Sequence, residues 1–83
     1  MRDIMAQMDL ENIKKIEKTR NHIHDKVYTT YTIFEESGEK YIQFDTYGRI
    51  DRENPEKISQ SFQLDRETAK YIVNLLSQEF GIK

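Results

Sequence analysis

The stretch Lys26-Val27-Tyr28-Thr29-Thr30-Tyr31-Thr32-Ile33-Phe34-Glu35 decides the fold. Five β-branched and three aromatic residues follow one another from Val27 to Phe34. Such side chains fit a pleated surface and lose rotamer freedom in a helix, so a strand is expected over about 26–35. Ser37-Gly38 comes next, between Glu36 and Glu39, and Gly38 supplies the positive φ of a tight turn. Lys40-Tyr41-Ile42-Gln43-Phe44-Asp45-Thr46-Tyr47 then forms the second strand of a hairpin. A two-residue loop fixes the register by arithmetic. Ile33 faces Ile42, Tyr31 faces Phe44 and Thr29 faces Thr46 on one side, which is the apolar one. Phe34 faces Tyr41, Thr32 faces Gln43, Thr30 faces Asp45 and Tyr28 faces Tyr47 on the other. A slip of one residue would expose the wrong set.

Downstream, Gly48 to Glu56 is expected as a loop punctuated by Asn54-Pro55. Ile58-Ser59-Gln60-Ser61-Phe62-Gln63-Leu64 alternates and predicts a third strand over about 57–64. Asp65 is placed to cap a helix over about 66–80, in which Ala69, Ile72, Val73, Leu76 and Phe80 form one continuous face. Gly81 ends it. Burying the four larger of these side chains on the sheet would contribute about 6–12 kcal/mol before chain entropy is subtracted. Upstream, Asp9 followed by Leu10, Ile13, Ile16 and Ile23 predicts a first helix over about 9–21. The expected class is α+β in the order α-β-β-β-α, a three-stranded antiparallel meander with helices packed on one face, making one domain over residues 1–83.

Composition narrows the function. Thirteen basic against fifteen acidic residues give a net charge of −2, without the basic excess that phosphate-binding proteins usually carry. The charge is uneven, however. Lys14, Lys15, Lys18, Arg20 and Lys26 outweigh Glu17 and Asp25 in one stretch, whereas seven acids between Glu35 and Glu56 face Lys40, Arg49 and Arg52 in another. The chain has no cysteine, which removes disulfides and thiolate metal sites. Met1 to Gln7 lacks the apolar run of a signal peptide, and Tyr71 to Leu76 is too short to span a bilayer, so a cytoplasmic location is expected.

No nucleophile elbow, P-loop, dinucleotide fingerprint or paired-histidine zinc motif occurs, and the expectation is a protein that is not an enzyme. His22 and His24 with Asp25 fall short of the three or four protein ligands that zinc takes. Asp51 to Glu56 lacks the ligand order and glycine of a calcium loop. Neither metal nor cofactor is expected.

That leaves the polar side of the hairpin, which carries Tyr28, Tyr41 and Tyr47 among threonines and Gln43. Tyrosines on an open sheet stack bases, and Arg49, Arg52 and Lys57 lie close enough in sequence to hold phosphates. The same rings serve as anchors in a protein interface.

Tyr41 to Gly48, the charged loop, Lys57 to Asp65 and the closing helix resemble a pattern in small bacterial proteins to which no activity is attached. The sheet-then-helix ending also resembles the single-stranded-DNA-binding domains of the positive-cofactor-four family of transcriptional coactivators. Lys57-Ile58-Ser59, Leu64 and the apolar face from Ala69 to Phe80 carry that likeness over about half the chain. It implies single-strand binding and a dimer. The chain departs from that family in its three predicted strands instead of four, its added N-terminal helix and its charge. Two functions are therefore expected. The first is a binding domain acting on or near single-stranded nucleic acid through Tyr28, Tyr41, Gln43, Tyr47, Arg49, Arg52 and Lys57. The alternative is a dimeric protein-interaction or inhibitor module, pairing through an open Ile58–Leu64 edge.

Overall fold

Alternation of apolar and polar side chains drives three segments into the expected meander, and a short fourth strand pairs alongside them. The computed structural model describes residues 5–48 and 58–82. Strand β1 covers Met5–Gln7, β2 Thr29–Glu36, β3 Glu39–Tyr47 and β4 Ile58–Leu64, and helix α1 covers Arg66–Phe80. The sheet order is β1-β4-β3-β2. β2, β3 and β4 pair antiparallel, but β1 adds to β4 in parallel, so the sheet is mixed and has four strands.

The hairpin takes the expected register, with Ile33 opposite Ile42, Tyr31 opposite Phe44 and Phe34 opposite Tyr41. Ser37 and Gly38 both have positive φ, 55° and 79°. This is the left-handed pair whose twist matches that of the flanking strands. A bulge between Thr46 and Tyr47 ends the regular β3–β4 ladder by setting Ile58 opposite Tyr47.

Three expectations are corrected. First, no helix covers 9–21. Asp9 does cap, accepting from the Glu11 N–H at 3.1 Å, but the turn it starts is a 3-10 turn of three residues, Leu10–Asn12. Ile13 is already extended, and residues 13–28 have no regular structure. A helix shorter than about 12–15 residues is marginal unless an apolar face packs on something, and Ile16 and Ile23 lie exposed. Second, β4 is not an edge. Met5, Ala6 and Gln7 pair with Ser61, Phe62 and Gln63, so β4 lies inside the sheet and its two edges are β1 and β2.

Third, α1 does not lie on the sheet of its own chain. Asp65 caps it, accepting from the Thr68 N–H at 2.9 Å, and Gly81 closes it in the left-handed conformation at φ 65°. Yet Val73 is 59% exposed and Phe80 74%. The connection explains this. Asp65 alone separates Leu64 from Arg66, whereas strand-to-helix loops in packed units take about 2–6 residues. One residue gives no slack to turn the helix back over the strands. It meets the 3-10 turn instead. Among the described residues Leu64, at 8%, is the one hydrophobic side chain that is buried.

Candidate binding face

Register sorts the side chains of the sheet into two faces. On one, Tyr31–Phe44–Phe62 and Ile33–Ile42–Leu64 run as two apolar rows across β2, β3 and β4, and Ala6 extends the first onto β1. Ring centroids in the first row are 6.3 and 5.5 Å apart. On the other, Thr32–Gln43–Gln63–Gln7 and Thr30–Asp45–Ser61 run side by side. Both faces follow from the period of two along each strand.

The polar face is held together by its own hydrogen bonds. The Gln63 amide donates to Gln43 Oε1 at 2.8 Å, and the Gln43 amide donates to Asp45 Oδ1 at 2.9 Å. Ser61 Oγ donates to the same carboxylate oxygen. Asp45 is buried, 8% exposed, and this pair of donors is what makes a carboxylate there tolerable. The network turns a row of flexible glutamines into a fixed strip of amides.

Aromatic pairs bound the strip at each end. Phe34 and Tyr41 stack with centroids 5.5 Å apart and planes 19° from parallel. Tyr28 and Tyr47 lie 5.2 Å apart, tilted, and Tyr47 Oη is 3.2 Å from Thr30 Oγ1. The Tyr47 N–H also donates to the Tyr28 carbonyl at 3.0 Å, which carries the hairpin pairing one step past the strand. From Tyr41 to Tyr47, six residue-to-residue steps along β3 span about 20 Å.

The structure thus places Tyr28, Tyr41, Gln43 and Tyr47 on one face, while Arg49, Arg52 and Lys57 lie outside the described residues, as does the rest of 49–57. Phe34, Gln63 and Ser61 belong to the face as well. The expected pairing of Phe34 with Tyr41 pointed to the first, and alternation with Phe62 and Leu64 along the Ile58–Leu64 strand pointed to Ser61 and Gln63. His22 and His24 are exposed in the irregular segment, and the described residues contain no group of three or more potential metal-ligating side chains. No helix among the described residues is long and apolar enough to cross a membrane.

The described fold and face define an α+β chain with a mixed four-stranded sheet and one C-terminal helix. No family model matches it, and comparison with curated proteins and with solved structures found no similar one.

Proposed function

We propose that this chain is a non-catalytic binding domain that takes single-stranded nucleic acid on the polar face of its sheet. The observation that supports the reading is the placement of two aromatic pairs, Phe34–Tyr41 and Tyr28–Tyr47, at the two ends of a braced amide strip. Aromatic rings stack on any base, and amides and hydroxyls serve the base edges. The Asp45 carboxylate is engaged by Gln43 and Ser61, so the face offers stacking and hydrogen bonds rather than a reactive group. Phosphates are met from the flanks. Lys14, Lys15, Lys18, Arg20 and Lys26 are exposed in the segment that leads into Tyr28, and Arg49, Arg52 and Lys57 follow Tyr47 in sequence.

Fluorescence anisotropy with a labelled oligothymidylate tests the reading. Binding is expected at 50 mM salt and weakens steeply by 200 mM. Tyr41→Ala and Tyr47→Ala each weaken it by about 5- to 150-fold, the stacking contribution of one base. Folded protein that leaves the oligonucleotide free at 50 mM salt excludes this function. The protein-interaction alternative is supported by a different observation, the uncovered apolar face.

A further inference from the structure

We infer that the chain forms a two-fold dimer in which helix α1 of each copy lies across the apolar rows of the other copy's sheet. The surface area motivates this. The chain exposes 8156 Å², where a compact monomer of 10.0 kDa exposes about 5,200 Å². Its radius of gyration is 15.0 Å, against about 12 Å for a compact chain of this length. The excess exceeds the roughly 1,000–2,500 Å² per partner that permanent dimers bury. Part of it belongs to the irregular segment 13–28, and part to apolar side chains of the sheet and α1 that lie exposed, among them Ile33, Val73 and Phe80.

Two apolar surfaces stand open in one copy, and each has the form the other lacks. The helix presents Val73, Leu76 and Phe80 to solvent, and the sheet presents Tyr31 and Ile33, the latter 59% exposed. Lengths agree: fifteen residues of helix span about 22 Å and the seven residues of β4 about 23 Å. Where α1 leaves the sheet, Ile33, Ile42, Leu64 and Ala69 line an open recess of about 390 Å³, with Lys40 and Arg66 at its rim. A large apolar side chain such as Phe80 of a second copy fits this lining. The one-residue connection at Asp65 brings Ala69 beside its own sheet but leaves Val73, Leu76 and Phe80 off it, so the sheet of another copy is the surface left to them.

A second copy is favoured over an unrelated partner because the exchange is reciprocal. One two-fold operation covers both helices and both sheets and then closes. Pairing of the two helices with each other would cover Leu76 and Phe80 but leave Tyr31 and Ile33 in water. The absence of cysteine makes the geometry directly testable.

Light scattering on the full chain at micromolar concentration is expected to give twice the 10.0 kDa chain mass. Single-cysteine variants Leu76→Cys, Ile33→Cys and Tyr31→Cys are then unfolded, mixed in pairs, refolded and oxidised. A disulfide-linked dimer is expected when Leu76→Cys is mixed with either sheet variant, and not from Leu76→Cys alone. A folded monomer overturns the inference. So does a dimer in which Leu76→Cys links only to itself, which would be helix-to-helix pairing. A double variant, Ile33→Cys with Leu76→Cys, that closes only within one chain overturns it as well. None of these outcomes depends on oligonucleotide binding.

Discussion

The two faces of this sheet differ in how completely one copy satisfies them. On the polar face the central side chains find partners within the chain: Gln63 on Gln43, Gln43 and Ser61 on Asp45, Thr30 beside Tyr47. On the apolar face Tyr31 and Ile33 remain largely in water, although they continue rows that begin well at Phe62 and Leu64. Hydrogen bonds are short-range and directional, so four side chains suffice to complete the first. Hydrophobic burial needs area, and the one helix among the described residues long enough to supply it is carried off the sheet by a one-residue connection. In the proposed assembly the two differences agree. The face that is complete in one copy stays outward for a ligand, and the face that is incomplete is closed by the second copy.

Phe44→Ala tests this contrast with the largest expected effect. Phe44 is the middle ring of the Tyr31–Phe44–Phe62 row. Beneath a partner's helix its truncation costs about 3–5 kcal/mol, as in a closed core, and roughly half as much on an open face. Urea unfolding at two protein concentrations separates the cases. A midpoint that rises with concentration in the wild type, and a loss in the upper range for the variant, fit the closed face.

Ser61→Ala probes the other face, with a smaller effect. It removes one of the two side-chain donors to the buried Asp45 carboxylate, at a cost of about 1–3 kcal/mol. Its midpoint should keep the same concentration dependence as the wild type, because the interface is untouched. If the loss instead came with dissociation, the separation of the two faces would be wrong.

Much of this was legible in the sequence. The hairpin register came from Ser37-Gly38 and the sorting of side chains; six of its seven expected pairs lie in the β2–β3 ladder, and Tyr28 and Tyr47 are joined just past it by a backbone hydrogen bond. The bounds and both caps of α1 came from Asp65, the apolar period and Gly81. What was not legible had non-local causes. Met5 to Gln7 carries no strand signal of its own; its pairing is decided by the free side of β4. The apolar stripe of α1 announced a burial surface but not whose. A periodic face reports that something covers it, and only the length of the Leu64–Arg66 connection says that its own sheet does not. On the polar face, Tyr41, Gln43 and Tyr47 were found because alternation along β3 places them, whereas the brace by Ser61 and Asp45 required the β3–β4 register and its bulge.

Gly38→Ala perturbs the hairpin that carries both faces. Nothing lies within 4 Å of an added Cβ, so its cost is that of the backbone alone at φ 79°. A loss of about 1–2 kcal/mol of folding stability is expected, with oligonucleotide affinity measured on the folded fraction unchanged. Ser37→Asn, at φ 55°, acts in the opposite sense by a few tenths of a kcal/mol, since asparagine tolerates this conformation better than serine.

The smallest effect is one of pH, and it sits at the junction between the sheet and the helix. The backbone N–H of Thr68 donates to the Asp65 carboxylate and holds its pKa below the ordinary value of 3.8. A carboxyl whose folded pKa is depressed favours the folded state above the unfolded pKa, and that contribution disappears as pH falls through the folded pKa. The cap's electrostatic contribution is therefore full at neutral pH and is lost below about pH 4. Asp65→Asn keeps an acceptor for the same N–H but cannot titrate. Thermal midpoints recorded from pH 7 down to pH 3 should show the variant falling less steeply than the wild type. If α1 must start at Arg66 to reach a second copy, the wild-type dimer also loosens over this acid range, ahead of the asparagine variant. Parallel curves for the two proteins would place the acid sensitivity elsewhere in the chain and leave the helix start independent of the charge on Asp65.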